Sequence, residues 1–311
     1  MNKRIAVTGA TGFVGRHLVE RLISEGYEIN ALTRRPQSPC ENINWIEGNF
    51  EDKAALSKLV NNTDVVIHVA GAVKAKNKLE FLNANAHSVS NLLTALEKQN
   101  NKPHFIQISS LAAREPQLSD YAFSKKKGEK IIIDNNLDLD WTIVRPPGIY
   151  GPHDMETLKI FKLFKWRIAL YPVSKHNRAS WVYVTDLVKY ISHLINNPDY
   201  YGQTLEIDDG HRDGYSHYEF MTAIANTLKI STIGITVPKI ILKLFGHTND
   251  ILGRIFGFAP MVSSKKVNEI CHADWTAKNE HATALNQFHE ANELKDGLKE
   301  TLDWYRNNEY I

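Results

Sequence analysis

The sequence predicts an α/β protein built on a doubly wound parallel sheet of the Rossmann type, with a smaller substrate lobe towards the C-terminus. Short apolar runs alternate with helical patterns through the first half of the chain, which is typical of repeated β-α units. The run Val65–Val69 shows no polar alternation, as expected for a strand that is covered on both faces. A glycine-rich turn follows the first apolar run and opens the first helical pattern.

The first domain, residues 1–150, is expected to bind a dinucleotide beyond the carboxyl ends of its strands, where ligands of such sheets lie. Its strands are predicted at Ile5–Thr8, Ile29–Thr33, Trp45–Glu47, Val65–Val69, Phe105–Ser109 and Thr142–Arg145. Its helices are predicted at Gly12–Ser24, Ala54–Val60, Phe81–Lys98 and Tyr121–Ile133.

Residues 151–311 are expected to form mainly the substrate-binding lobe, because the β-α rhythm weakens after Pro146 and the loops lengthen. A return of the chain to the first domain over about residues 180–207 stays open. The last part, residues 229–311, reads as helical or irregular. The other elements predicted in this half are a strand at Ser180–Val184 and helices at Asp186–Ile195 and Ser216–Leu228.

Composition excludes several classes of protein. Of 311 residues, 43% are hydrophobic and 23% are charged, which rules out a disordered or fibrous chain. The 37 Lys and Arg against 35 Asp and Glu are too balanced for a nucleic-acid binder. Cys40 and Cys271 fit a reducing compartment and cannot build a cysteine-rich metal site. The 13 histidines show no His-x-x-x-His spacing, so no metal is expected.

The protein is expected to be cytoplasmic and to have no integral membrane span. The N-terminus passes within eight residues into Thr8-Gly9, which leaves no room for a secretory apolar stretch. The most apolar long window, Val237–Phe258, is interrupted by proline, histidine and charged residues. This amphipathic segment would line an apolar pocket or rest on a membrane surface, but ordinary packing within the fold is the favoured interpretation.

Three glycines between the first strand and the first helix predict a dinucleotide site. A tight turn, close backbone approach to a pyrophosphate and close helix–sheet packing each favour glycine. The phosphates would then sit at the positive end of the helix. A tight turn that binds no ligand is the alternative. The candidate residues of this loop are Gly9, Thr11, Gly12, Phe13, Val14 and Gly15.

The octad Thr8–Gly15, spaced Gly-x-x-Gly-x-x-Gly, resembles the cofactor loop of the short-chain dehydrogenase/reductase superfamily, in its extended and atypical branches. The segments Val144–Pro152 and Trp181–Leu187 resemble motifs of the extended, epimerase/dehydratase-like branch. The resemblance covers roughly residues 3 to 230 and implies an enzyme that uses a nicotinamide cofactor.

Arg34 and Arg35 favour NADP over NAD as the cofactor. An NAD site places an acid at the end of the second strand, whereas an NADP site supplies arginine for the 2′-phosphate. Here two arginines stand at that strand end and the acid is absent; their alternative role is that of solvated loop charges. The resemblance also implies contacts with three parts of the cofactor. Asn49 and Phe50 would lie against the adenine, and Ala70, Gly71 and Ala72 along the nicotinamide ribose. The nicotinamide would be contacted by Pro146, Pro147, Gly148 and Ile149.

Two segments match the pattern Tyr-x-x-x-Lys, and only one lies in a helical context. The chemistry needs a helix, because side chains four residues apart then share a face. Tyr121 and Lys125 lie at the start of a helical pattern. Tyr171 and Lys175 lie in a stretch that shows no helical pattern and contains a proline between them. The second match is therefore interpreted as accidental.

Ser110, Tyr121 and Lys125 are the predicted catalytic residues, and Ser109 is the alternative to Ser110. A free phenol has a pKa of about 10, too high for ready proton exchange at neutral pH. The Lys125 ammonium and the oxidised nicotinamide would stabilise the phenolate, so that Tyr121 would act as general acid or base. Ser110 would hydrogen-bond the same substrate oxygen, and Tyr121 and Lys125 would also contact the cofactor.

Three functions remain open at this point. The first is an NADP(H)-dependent oxidoreductase that transfers hydride to or from a carbonyl or alcohol. The second is a sugar-nucleotide epimerase or dehydratase, and the third a non-catalytic NADPH sensor or structural subunit. The expected partner is a small-molecule substrate. The basic cluster 162–178 would either meet an anionic group of that substrate or form an ordinary solvated face, and the solvated face is the favoured interpretation. The resemblance also implies a homodimer through the helices at Phe81–Lys98 and Tyr121–Ile133.

Overall fold

The computed structural model describes residues 3–195, 197–278 and 291–311. The chain divides into two compact units, one of residues 1–145 and 188–205 and the other of residues 146–187 and 206–311. The strands are β1 (Arg4–Thr8), β2 (Glu28–Thr33), β3 (Ile43–Glu47), β4 (Val65–His68), β5 (His104–Ile108), β6 (Trp141–Arg145), β7 (Gly148–Tyr150), β8 (Ile168–Pro172), β9 (Arg178–Ala179), β10 (Trp181–Tyr183), β11 (Gln203–Glu206), β12 (Tyr215–Ser216), β13 (Ile233–Val237) and β14 (Asp274–Trp275). The α-helices are α1 (Phe13–Ser24), α2 (Lys53–Val60), α3 (Lys78–Leu82), α4 (Ser88–Glu97), α5 (Asp120–Ile133), α6 (Met155–Leu163), α7 (Val184–His193), α8 (His217–Leu228), α9 (Lys239–Phe256), α10 (Lys266–Ile270) and α11 (Leu294–Asn307).

The first unit is built on a seven-stranded sheet in the order β11-β6-β5-β4-β1-β2-β3. Strands β1 to β6 pair in parallel, and their order is that of the Rossmann fold. This confirms the predicted fold class. The sequence predicted six strands and left open a helix-strand return over about residues 180–207. The seventh strand, β11, lies beside β6 within that stretch; its exact position was not predicted because its four residues carry little apolar pattern.

The core of this unit lies between the sheet and its helices. Every residue of β4 and of β5 is buried, which explains why these strands lack polar alternation. One apolar cluster joins strand residues such as Val66 and Phe105 to the helix residues Leu56 and Leu92. The core of this unit therefore packs directly against the strands whose carboxyl ends present the loops of the candidate site.

The long helix predicted at Phe81–Lys98 is interrupted in the structure. Helices α3 and α4 flank a π-helical turn at Asn83–His87. Asn85 lies buried in that turn, and its side chain bonds the backbone N–H and C=O of Ala72 as well as Ser124. A wider turn of this kind re-aims one side chain, a device frequent at functional sites.

The second unit holds three small sheets around an aromatic core. The strand pairs are β10 with β7 and β13 with β8, and β9 lies between β12 and β14. Trp181 stacks on Phe220 at 3.8 Å between ring centroids, and Gly148 lies so close that an added Cβ would stand 2.5 Å from the Trp181 ring. The core includes Tyr150 and Tyr305, both fully buried.

Helix α8 begins and ends on clear local signals. Its capping box joins Ser216 and Glu219, and it ends at Leu228, which Lys229 follows in the left-handed conformation. The C-terminal part, predicted as helical or irregular, contains two unforeseen strands among its described residues: β13, directly before helix α9, and β14.

Candidate active site

The glycine turn between β1 and α1 has the geometry that a pyrophosphate needs. Gly9 has φ +73°, and a Cβ there would stand 2.7 Å from the backbone N of Ala70. A Cβ on Gly15 would stand 2.0 Å from the carbonyl oxygen of Gly9, so only glycine lets α1 pack this close. Gly12 is exposed at the start of α1, which has no side-chain cap. The first N–H groups of the helix are therefore available to an anion.

The other predicted loop residues surround this turn. Thr11 is exposed and its carbonyl accepts a bond from Arg16. Phe13 and Val14 are half-buried in the first turn of α1. The glycines leave a space at the start of α1 that an added Cβ would fill. This space fits a dinucleotide phosphate.

A chain of hydrogen bonds ties the glycine turn to the loop after β4. The Ala70 N–H donates to Thr8 Oγ1, which lies 2.7 Å from His68 Nδ1. On its other side His68 Nε2 lies 3.2 Å from Ser88 Oγ, which donates to Ala84. Burial, and then the charge of Lys125, lower the pKa of His68 to about 3, so the ring is neutral. His68 is thus the internal link expected of a core histidine.

The loop after β4 is clamped on its second side by the π-helical turn. The backbone of Ala72 is bonded twice to Asn85, as described above. A Cβ on Gly71 would stand 2.7 Å from Asn85 Oδ1 and 3.6 Å from Lys125 Nζ. The segment Ala70–Ala72 therefore lies against the predicted catalytic lysine.

Arg34 and Arg35 follow β2 and are both exposed. In the part of the chain that the structure describes, neither guanidinium has a hydrogen bond or ion pair, so both are available to a ligand. Asn49 is exposed after β3, where its side chain accepts from the Glu51 N–H. Phe50 packs edge-on against His68 at 5.4 Å between ring centroids.

Tyr121 and Lys125 share one face of α5, which begins after the cap Ser119. Lys125 is 6% exposed and donates from Nζ to the carbonyl oxygen of Ile108 at 2.7 Å. Burial lowers its pKa to about 8, and the nearby Glu129 carboxylate acts in the opposite direction. Tyr121 is half-buried, with its ring 6.1 Å from that of Phe81. The second match is not helical: Tyr171 lies in β8.

The two serines after β5 have different surroundings. Ser109 is buried and its hydroxyl donates to Glu129 at 2.7 Å. Ser110 is half-buried, and its Oγ accepts from the Ala112 N–H at 3.2 Å, which leaves its hydroxyl hydrogen for another acceptor. This arrangement favours Ser110 over Ser109 as the residue that faces a substrate.

Sequence reasoning missed a buried ion pair behind Lys125. Glu129 is fully buried and binds Arg145 through both oxygens, at 2.8 and 2.7 Å, and also Lys126 at 3.2 Å. Burial alone would raise the pKa of Glu129, but the bonds from Arg145 and Ser109 hold it below its ordinary value. The signal was present, because Glu129 follows Lys125 by one helical turn and Arg145 ends β6.

The remaining predicted cofactor contacts belong to the second unit. Pro146 and Pro147 follow β6, and Gly148 and Ile149 open β7. Among residues 3–195, 197–278 and 291–311, no group of three metal-ligating side chains is found. No helix within those ranges is long and apolar enough to cross a membrane. In the basic cluster, Arg178 is used internally, on the carbonyls of Asp213 and Gly214.

Comparison with known proteins identifies the family of the chain. Residues 5–207 match the model of the NAD dependent epimerase/dehydratase family. The chain belongs to this family. A nicotinamide dinucleotide is accordingly its cofactor class, and the predicted enzyme class is confirmed.

Two relatives and one solved structure illustrate the range of the family. The chain is 33% identical to "Ceramide reductase" of Caulobacter vibrioides over 306 residues, 97% of this chain and 94% of the relative. It is 26% identical to "UDP-glucose 4-epimerase" of Vibrio cholerae over 287 residues, 83% of this chain and 86% of the relative. The solved structure of MoeE5 in complex with UDP-glucose and NAD shares the fold, with TM-score 0.75, 20% identity and 99% coverage of both chains.

Proposed function

We propose that the protein is an NADP(H)-dependent reductase that converts a ketone group of a ceramide-class lipid to an alcohol. The observation that carries the proposal is Lys125: a buried ammonium one helical turn after Tyr121, beside the strand end that bears Ser110. A buried lysine is costly and is a candidate for function when a partner with suitable chemistry lies on the same face.

The cofactor would be held by the glycine turn and by the two free arginines. Gly9, Gly12 and Gly15 leave room for the pyrophosphate at the start of α1. The exposed guanidinium groups of Arg34 and Arg35 suit a 2′-phosphate, which they would bind in a bidentate manner. NADPH, once bound, supplies hydride to the substrate carbon.

Three side chains would manage the substrate oxygen. Tyr121 donates the proton that converts the reduced carbonyl oxygen to a hydroxyl, and the Lys125 ammonium stabilises the resulting phenolate. Ser110 donates its unused hydroxyl hydrogen to the same oxygen. Tyr121 would regain its proton from solvent once the alcohol has left.

The substrate class follows "Ceramide reductase", to which the chain is 33% identical over 97% of its own length and 94% of the relative's. The sugar-nucleotide alternative is supported by a lower identity to a UDP-sugar epimerase. The two differ in cofactor balance, because a reductase consumes one NADPH per product whereas an epimerase returns its cofactor unchanged.

A pair of tyrosine variants tests the proposal. Tyr121→Phe should lower kcat for a ketone-bearing ceramide by roughly 10²- to 10⁴-fold, the usual contribution of a general acid. NADPH binding, followed by the fluorescence of the bound cofactor, should change by less than about threefold. Tyr171→Phe is the matched control, since it changes the other Tyr-x-x-x-Lys segment and should leave kcat intact.

Three results would overturn the proposal. Full activity of Tyr121→Phe would show that Tyr121 is not the proton donor. Binding of NADPH without turnover of any carbonyl would show that the protein is a sensor and not an enzyme. Conversion of a UDP-sugar without net consumption of NADPH would identify an epimerase.

A further inference from the structure

Helix α9 exposes a continuous apolar face. Its large apolar residues recur at the spacing of one helix face, and six of them are 55–78% exposed. These six are Ile240, Leu244, Phe245, Ile251, Ile255 and Phe256. Such exposure means that no other described part of the chain covers this face. Packing against the described residues therefore does not account for this face.

The opposite side of α9 is the side that holds the helix to its unit. Gly246 and Gly253 are its buried residues, and a Cβ on either would stand 2.9 Å from neighbouring backbone atoms. Asn249 donates to the Val262 carbonyl, and Asp250 accepts from the N–H and hydroxyl of Ser264. These contacts fix the orientation of the helix relative to residues 258–264, and its apolar face lies on the side away from them.

The charges on α9 that remain in solvent are positive. Lys239, Lys243 and Arg254 are all exposed, and they lie beside the apolar face rather than within it. The one carboxylate of the helix, Asp250, is occupied by Ser264. An apolar face flanked by cations is the pattern of helices that lie in a bilayer interface among anionic headgroups.

The strand that leads into α9 continues this character. Ile233 and Ile235 project from one face of β13 and are 71% and 42% exposed. The N–H of Ile233 bonds the carbonyl of Arg167, next to Trp166, which is 74% exposed. An exposed tryptophan beside a cation suits the headgroup level of a membrane.

We propose that α9 is a membrane-surface anchor that inserts its apolar face into the interface of a bilayer containing anionic phospholipids. The helix rests on the bilayer and does not cross it, because its 18 residues include four charged ones and are too polar for a span. A second copy of the chain is a poorer occupant, since a two-fold interface would bring the same cations of both copies together. The inference does not depend on the reaction proposed above.

Vesicle sedimentation with the full-length protein tests the anchor. The protein should bind vesicles of phosphatidylcholine and phosphatidylglycerol in equal parts, and bind phosphatidylcholine vesicles at least about 10-fold more weakly. Leu244→Ser with Ile255→Ser should weaken binding to the mixed vesicles about 100-fold, because two inserted side chains are lost. Lys239→Gln with Lys243→Gln should weaken it about 30-fold.

A matched control separates this face from exposed apolar residues in general. Leu79 and Ile133 are 60% and 46% exposed in the first unit, and Leu79→Ser with Ile133→Ser should change vesicle binding by less than about threefold. All variants alter exposed side chains, so their thermal unfolding should match that of the wild type.

The proposal is overturned if the wild type ignores both kinds of vesicle, binds both equally, or binds as well after the α9 changes as before. It is also overturned if the wild type sediments as a dimer that Leu244→Ser with Ile255→Ser converts to a monomer, because the face would then join two copies of the chain.

Discussion

Replacement of Lys125 by methionine is expected to abolish turnover and to make the protein more stable at neutral pH. The ammonium is 6% exposed, and burial lowers its pKa from 10.5 to about 8, despite the opposing effect of Glu129. At pH 7 the lysine is charged in both the folded and the unfolded chain, so the fold carries the full cost of that shift, about 3 kcal/mol.

Methionine removes the buried charge and fills a similar volume. It also leaves the carbonyl of Ile108 without the bond it accepts from Lys125, which costs about 1 kcal/mol. The expected net gain in the free energy of unfolding is about 2 kcal/mol at pH 7. A functional lysine held at a cost in stability is typical of active sites.

The sign of the pH dependence makes the test specific. Between about pH 8 and 10.5 the unfolded chain holds a proton on Lys125 that the folded chain has lost, so the wild type gains stability as pH rises through this window. Urea unfolding of wild type and Lys125→Met, without cofactor, at pH 7 and at pH 10 measures both effects. The free energy of unfolding of Lys125→Met should exceed that of the wild type at pH 7, and the difference should be smaller at pH 10.

Lys175→Met is the matched control, because Lys175 is exposed and belongs to the second Tyr-x-x-x-Lys segment. It should change the free energy of unfolding by less than about 0.5 kcal/mol at either pH. The reasoning is refuted if Lys125→Met is less stable than the wild type at pH 7, or if its lead does not depend on pH.

Three further changes probe the groups around the lysine and the cofactor. Glu129→Gln breaks the buried pair with Arg145 and should cost about 3 kcal/mol in urea unfolding at pH 7; because the pKa of Glu129 is lowered in the fold, the deficit should shrink as pH falls below about 4.5. Arg34→Ala should weaken NADPH binding roughly 10-fold or more in calorimetry and leave NADH binding unchanged, and equal losses for both cofactors would contradict the 2′-phosphate assignment. Gly15→Ala should abolish NADPH binding, because the added Cβ falls 2.0 Å from the Gly9 carbonyl oxygen; retained affinity would show that the turn can move at little cost.

The strands of the sheet could be predicted because burial on both faces leaves a plain sequence signal. All residues of β4 and β5 are buried, and all but His68, His104 and Gln107 are apolar. The glycine turn could be predicted equally well, because a side chain at Gly9 or Gly15 would collide with neighbouring backbone atoms. The same holds for the helix of Tyr121 and Lys125, which a serine cap precedes.

Features that depend on distant partners could not be predicted. The π-helical turn at Asn83–His87 exists because Asn85 reaches Ala72 and Ser124, which are far away in sequence. The seventh strand, β11, has four residues and takes its place from the neighbouring edge of the sheet. The sequence predicted that the segment of helix α9 is amphipathic. Hydrophobic periodicity predicts that a helix has an apolar face, but it does not predict what covers that face.

The proposed reaction depends most on the position of the Tyr121 hydroxyl relative to the cofactor. A crystal structure of the protein with NADPH bound would measure the distance from Tyr121 Oη to the reactive carbon of the nicotinamide. We expect the hydroxyl to face that ring across a cavity large enough for a carbonyl group, with the Lys125 ammonium and the Ser110 hydroxyl directed to the same space. A Tyr121 hydroxyl that points into bulk water, away from a bound nicotinamide, would contradict the assignment.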